Sequence, residues 1–134
     1  MIIDRLKEFF CQYPDFSEPR VDFLGEDNYS FSINPVPCES VIKTYRDGGS
    51  MKQYCFILAV RLGYGKTPAQ ENIGILERFA EWIEKKSRLG ELPVLGEGKT
   101  AQRLEVTESG AMKNEDIHSA EYNIKCRLVY TESV

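Results

Sequence analysis

Two copies of the triplet Gly-Lys-Thr, which ends a phosphate-binding loop, occur at Gly65-Lys66-Thr67 and Gly98-Lys99-Thr100. A complete loop reads Gly-x-x-x-x-Gly-Lys-Ser/Thr between a strand and a helix. Its glycine N–H groups wrap the phosphates, and the helix N-terminus faces them. The required upstream glycine is replaced by Val60 in the first copy and by Pro93 in the second. We interpret neither triplet as a nucleotide site, and we predict no cofactor.

The surroundings of the two triplets support this interpretation. The residues after Lys99 read as a strand rather than a helix, and Pro68 follows the first triplet directly. The alternative from a different functional class is a small-molecule or nucleotide binder that uses Lys66 or Lys99.

Other residues capable of chemistry are sparse. His118, the single histidine, lies near Glu115, Asp116 and Glu121, a set that could bind a metal ion. A solvated acidic loop explains the same composition more simply. No Gly-x-Ser-x-Gly nucleophile motif is present. The sequence therefore predicts no catalytic residue, no metal site and no enzyme.

The four cysteines are Cys11, Cys38, Cys55 and Cys126, and none forms a Cys-x-x-Cys pair. Zinc and redox motifs use that spacing to bring two sulfur atoms together. Cys55 and Cys126 lie in apolar runs, where a free cysteine behaves as a small hydrophobic residue. We predict reduced, structural cysteines.

Composition indicates one ordinary globular domain that spans residues 1–134. The chain is 42% hydrophobic and 28% charged, with a net charge of −4. Its basic residues are scattered among acids, which argues against specific nucleic-acid binding. Neither a membrane span nor a secretion signal is expected, because charges interrupt every apolar run. We therefore expect the chain to be cytosolic where it is made.

Hydrophobic spacing predicts a helix in the first twelve residues and a second helix over residues 69–90. The buried stripe of the second helix is predicted to contain Ile73, Leu76, Phe79, Ala80 and Ile83, with Trp82 beside it. Alternating residues predict four strands between the helices and two after them. Residues 110–119 are interpreted as a polar loop.

A β-hairpin is predicted around Asp47-Gly48-Gly49. Its second strand, residues 50–62, would cover about 43 Å at ~3.3 Å per residue, whereas a domain of this size is about 36 Å across. We therefore expect the hairpin tip to project as an arm. The predicted fold is α+β, with a mixed, mainly antiparallel sheet of about five to six strands packed with two helices and a protruding β-hairpin.

The chain resembles the small minor capsid or tail-completion proteins of bacteriophages and prophages of Gram-positive bacteria. The resemblance covers nearly the whole chain and depends on a series of segments: "VDFLGEDNYSFSI", "PVPCE", "YRDGGSMKQYCF", "FAEWIEKK", "LPVLGEGKTAQRLEV" and "AEYNIKCRLVY". In size and element order it is similar to tail terminators, whose subunits form a ring on the tail tube.

The resemblance implies a structural role at the head–tail junction of the virion. The implied partners are further copies of the chain in a ring such as a hexamer, the tail tube protein and the head connector protein. A head-closure or connector-side adaptor is the alternative role within assembly. Because interfaces favour aromatic anchors, we predict that subunit contacts involve Tyr64, Trp82 and the arm residues Tyr45, Arg46, Asp47, Gly48, Gly49, Ser50, Met51 and Lys52. Plain core packing is an equal alternative for Trp82.

Overall fold

The computed structural model describes residues 1–13, 20–21, 30–63, 69–115 and 119–133, with side chains over 1–13, 31–62, 73–108 and 121–133. These residues form two helices, each followed by a group of strands. In chain order they are α1 (Ile2–Phe10), β1 (Arg20–Val21), β2 (Ser30–Pro35), β3 (Val41–Thr44), β4 (Ser50–Gly63), α2 (Ala69–Arg88), β5 (Lys99–Glu115) and β6 (Ser119–Glu132). In the described part of the chain, neither helix is long and apolar enough to cross a membrane.

Strands β2 to β6 form an antiparallel sheet, and the two-residue β1 pairs parallel to β2 at its edge. The order across the sheet is β1-β2-β4-β6-β5, and β3 pairs with β4 on the same edge as β2. The prediction of an α+β fold with two helices and a mainly antiparallel sheet is confirmed.

Strand β4 is central, as its apolar composition predicts. It pairs with β6 along its whole length, from Ser50 opposite Glu132 to Gly63 opposite Ser119. Its inner face is fully buried at Phe56, Leu58, Val60 and Leu62. Its outer face is less covered, because Cys55 and Ile57 are half-buried and only Ala59 is buried.

Both helices contribute to the hydrophobic core against the inner face of the sheet. The Phe10 ring of α1 lies at its centre, 6.2 Å from Phe31, 6.1 Å from Phe56 and 6.0 Å from Phe79 between ring centroids. Each contact is edge-to-face, the arrangement that the charge distribution of aromatic rings favours. One aromatic residue from α1 therefore joins two strands and α2.

The buried stripe of α2 contains Leu76, Phe79 and Ile83, as predicted. The prediction for Ile73 is wrong, because its side chain is 48% exposed. At 100° per residue, Ile73 lies roughly 90° around the helix from the centre of the stripe. Ile73 precedes Leu76 by three residues, a spacing typical of one helix face, but the angle puts Ile73 on the flank of α2 instead of on its buried face.

Gly90 ends α2 and is the last residue of the helix range that the sequence predicts. Its φ of +74° is in the left-handed region. The Gly90 N–H donates to the Ser87 carbonyl at 3.1 Å, and the Glu91 N–H donates to the Lys86 carbonyl at 2.9 Å. These are the two hydrogen bonds of a Schellman motif, which satisfies the last carbonyl groups of a helix.

The prediction of a polar loop over residues 110–119 is wrong for residues 110–115, which belong to a strand. Strand β5 continues to Glu115, with Ala111 opposite Asn123 and Glu115 opposite Ala120 on β6. Four register shifts interrupt this pairing. The polar composition suggests a loop, but β6 supplies backbone partners over the whole length, and pairing outweighs local propensity. Residues 116–118, including His118, lie outside the described residues.

Strands β2 and β3 are two parts of one interrupted edge along β4. Pro35 at the end of β2 lies opposite Phe56, and Val41 at the start of β3 lies opposite Lys52. Five residues, 36–40, thus face only three on β4, residues 53–55. The Val36 N–H still donates to the Cys55 carbonyl at 3.1 Å, and the Ser40 carbonyl accepts from the Gln53 N–H at 2.8 Å. We call residues 36–40 the edge bulge.

Candidate assembly surface at one end of the sheet

The turn between β3 and β4 is held by its own polar groups. The Tyr45 N–H donates to the Gly49 carbonyl at 2.7 Å, and the Gly48 N–H donates to the Tyr45 carbonyl at 3.1 Å. The Asp47 carboxylate accepts from the Gly49 N–H at 2.9 Å, as aspartates in turns commonly do. The turn that the sequence predicts at Asp47-Gly48-Gly49 is therefore rigidly defined.

A second turn, residues 96–99, leads into β5 and contains the second Gly-Lys-Thr triplet. The Lys99 N–H donates to the Gly96 carbonyl at 3.0 Å. Its central residues have positive φ, +52° at Glu97 and +74° at Gly98, as a type I′ turn requires. A strand follows Lys99, so this triplet is a loop-to-strand entry and lacks the helix that a phosphate-binding loop needs.

The end of β6 joins the two turns. The Ser133 N–H donates to the Gly98 carbonyl at 2.9 Å, and the Ser133 hydroxyl donates to the same carbonyl at 3.2 Å. On the other side, Gly49 is close enough that an added Cβ would lie 3.2 Å from the Glu132 carbonyl oxygen. A cleft of about 420 Å³ lies between the turns, lined by Tyr45, Asp47, Gly49, Ser50, Gly96, Glu97, Gly98, Lys99, Thr100, Thr131, Glu132 and Ser133.

An ion-pair network connects three strands at this end. The Glu132 carboxylate lies 2.7 Å from the Lys52 ammonium and 3.7 Å from the Lys99 ammonium. The hydrogen bond from Lys52 is the main cause that lowers the pKa of Glu132, and the same bond raises the pKa of Lys52. Lys99 is thus already engaged by a carboxylate of its own chain.

Comparison of the chain with protein-family models, curated proteins and solved structures gives no match.

The arm predicted for subunit contacts forms one side of this end of the sheet. Arg46, Asp47 and Gly48 are exposed, whereas Gly49 is buried. Tyr45 is 37% exposed, and the Lys43 ammonium lies 5.4 Å from the centroid of its ring. The remaining arm residues, Ser50, Met51 and Lys52, are half-buried in β4.

The arm is flanked by other strands at the same level. Ser50 lies opposite Glu132 on β6, which in turn lies opposite Lys99 at the start of β5. The projection of the hairpin beyond the domain stays a prediction, as does the part of the arm residues in subunit contacts.

The exposed surface of β3 is a feature that the sequence pattern does not reveal. All four of its residues are exposed, including Val41 at 42% and Ile42 at 45%. Two β-branched apolar residues followed by Lys43 and Thr44 are also compatible with an ordinary half-buried strand. We call the four exposed residues of β3, which lead into Tyr45, the β3 strip.

Trp82 lies away from the arm, in an aromatic cluster formed with α1. Its ring centroid is 5.4 Å from Phe9, 6.2 Å from Phe10, 5.1 Å from Tyr13 and 6.3 Å from Phe79. Its side chain is half-buried and also lines a surface cleft of about 710 Å³. The structure therefore does not bring Trp82 together with the arm. Tyr64 and Lys66 lie outside the described residues.

The cleft between the turns is poorly suited to a polyphosphate. Three carboxylates line it, from Asp47, Glu97 and Glu132, against the single ammonium of Lys99. Excess negative charge repels phosphate groups. Among the side chains that the structure describes, no group of three or more His, Cys, Asp or Glu residues could hold a metal ion.

Proposed function

We propose that this chain is a structural virion protein of the phage head–tail junction. In the proposed role, a ring of its copies caps the tail tube, stops tube growth and allows docking to the head connector. The resemblance of the sequence to tail-completion proteins supports this proposal. The structural observation that carries it is the β3 strip, an exposed apolar edge next to a well-defined turn.

An exposed strand edge favours assembly for a physical reason. Of the described strands, only β4 pairs with β3, so one row of β3 backbone groups faces outward. Such an edge is a template for pairing with another chain, and monomeric proteins usually protect it with charges or prolines. Strand β3 carries one such charge, Lys43, but apolar Val41 and Ile42 are also exposed on it. A surface that meets a different surface of its neighbour generates a ring when the rotation closes.

The first experiment tests assembly through the β3 strip with the substitution Ile42→Lys. Burying the exposed half of this side chain would contribute about 1 kcal/mol, and a buried lysine would add a desolvation cost of several kcal/mol. We expect self-association, measured by light scattering across protein concentrations, to weaken by at least about tenfold.

Ile73→Lys is the matched control, because it makes the same change at a side chain of similar exposure, 48% against 45%, on α2. It should leave association unchanged. Equal association of the two variants would exclude the β3 strip as the contact.

The second experiment tests the role in the virion by deletion of the gene. The proposal predicts abnormally long tails or tails that fail to join heads, seen by electron microscopy. Binding of the purified chain to isolated tail tubes supports the terminator role, whereas binding to empty heads favours the adaptor role. Normal infectious particles from the deletion would refute both.

A further inference from the structure

The edge bulge brings together two cysteines that are 17 positions apart in the sequence, Cys38 and Cys55. The Val36 N–H donates to the Cys55 carbonyl, so the bulge leaves β2 directly beside Cys55. It returns to the strand edge at Ser40, whose carbonyl accepts from the Gln53 N–H. Cys38 is the middle residue of the edge bulge.

The two cysteines are neighbours on the surface. A side-chain hydrogen bond with Cys38 contributes to the raised pKa of the Cys55 thiol. Both line one surface cavity of about 410 Å³, whose other lining residues are Val36, Pro37, Gln53, Phe56, Ile57, Thr107, Lys125, Cys126 and Arg127. Both cysteines are free; Cys38 is exposed and Cys55 is half-buried.

The surroundings distinguish the roles of the two sulfur atoms. Burial, together with the hydrogen bond to Cys38, raises the pKa of the Cys55 thiol to about 11, although the nearby Arg127 guanidinium acts in the opposite direction. Cys55 therefore reacts slowly with reagents in solution, because the thiolate is the reactive form. Cys38 is the accessible thiol, and its neighbour is held in place to react next.

We propose that Cys38 and Cys55 form a reversible dithiol–disulfide pair that exchanges with small-molecule disulfides such as oxidised glutathione. The Cys38 thiolate attacks one sulfur of the reagent, forming a mixed disulfide and releasing one glutathione thiolate. The Cys55 thiolate then attacks the Cys38 sulfur and releases the second. Two protein thiols are oxidised and one glutathione disulfide is reduced to two thiols, which take up the two protons.

The disulfide would fasten the edge bulge to β4. A cross-link that closes a loop of this length restricts the unfolded chain, and we expect the melting temperature to rise by roughly 5–10 °C. Reduction would release the bulge, which leads directly into the β3 strip. The pair thus gives this edge of the sheet a redox-dependent covalent state, whatever the partner of the strip.

Peptide mapping tests the proposal directly. The full chain is equilibrated with mixtures of reduced and oxidised glutathione, alkylated and digested with trypsin. Cleavage after lysine and arginine places Cys38 in peptide 21–43 and Cys55 in peptide 53–61, apart from Cys11 and Cys126. We expect a disulfide-linked peptide 21–43/53–61 that disappears after treatment with dithiothreitol. The oxidised chain should have two fewer alkylatable thiols than the reduced chain, and a higher melting temperature.

Three cysteine-to-serine variants provide the controls. Cys11→Ser, at an exposed residue directly after α1, should retain the linked peptide. Cys55→Ser should stop at glutathionylated Cys38, and Cys38→Ser should show neither product. The proposal is overturned if the wild-type chain accumulates glutathionylated Cys38 without the linked peptide, or if both thiols stay alkylated at every ratio. A linked peptide without a rise in melting temperature would refute the fastening of the bulge.

Discussion

The substitution Gly98→Ala tests the account of the turn that leads into β5. Gly98 has a φ of +74°, and an added Cβ would lie 2.7 Å from the Ser133 hydroxyl oxygen. Gly96, two residues earlier, has a φ of +70° and nothing within 4 Å of its added Cβ. The two glycines thus share a backbone conformation and differ in their surroundings.

The expected magnitudes follow from these two terms. A side chain in the left-handed region costs roughly 1–2 kcal/mol, and this term applies equally to Gly96→Ala. In Gly98→Ala the Ser133 side chain must also move and give up its 3.2 Å hydrogen bond to the Gly98 carbonyl, which adds about 1 kcal/mol. We expect Gly98→Ala to lower the melting temperature by roughly 4 °C more than Gly96→Ala.

The assay is urea or thermal unfolding of both variants, followed by circular dichroism. Ser133→Ala alone should cost about 1 kcal/mol, because it removes the same hydrogen bond. In the Gly98→Ala background it should cost nothing further, because that bond is already lost. Equal destabilisation by Gly98→Ala and Gly96→Ala would refute the contact between Gly98 and Ser133. So would a cost of Ser133→Ala that is the same in both backgrounds.

Two further predictions concern the outer face of the sheet and the core. Burial alone would raise the pKa of Glu105, but hydrogen bonds from Arg127 and Arg103 outweigh it and lower that pKa. The resulting stabilisation is present above the unfolded-state pKa and is lost as the pH falls through the lower folded-state value. Arg127→Gln should therefore reduce the free energy of unfolding, measured by urea titration, by about 1 kcal/mol at pH 7. The difference in this free energy between the variant and the wild type should shrink below about pH 4. The control Lys125→Gln, which breaks the exposed ion pair with Glu108, should show neither effect. Phe79→Ala should cost about 3–5 kcal/mol, because its fully buried ring contacts Phe10, and retention of near-wild-type stability would contradict the central place of that ring.

The sequence predicted the features of the fold that depend on local periodicity. Phe79 and Ile83 repeat at helical spacing, and the even-numbered residues from Phe56 to Leu62 repeat at strand spacing. Both sets are fully buried in the same hydrophobic core. Gly90 after such a helical repeat is typical of a helix end, where a left-handed residue is common. These signals are read within about ten residues, which is why they are reliable.

The features that the sequence did not predict depend on partners distant in the chain. Residues 110–115 look like a loop, and only the length of β6 makes them a strand. Glu132 was not singled out, although it joins Lys52 and Lys99, because the register of three strands brings them together. The exposure of the β3 strip was also not predicted, because whether Val41 and Ile42 are covered depends on which elements pack on β3 and not on the four residues themselves.

The edge bulge shows how a local signal can have a distant consequence. Pro35 and Pro37 indicate a break in a strand, because proline has no N–H to donate. In the structure both flanking strands return to the same edge of β4, so the break is accommodated by two extra residues instead of a change of partner. That solution brings Cys38 and Cys55 to one cavity and begins β3 only three residues after Cys38. The prolines thus position both the thiol pair and the exposed strip, which residues 39 and 40 connect along the chain.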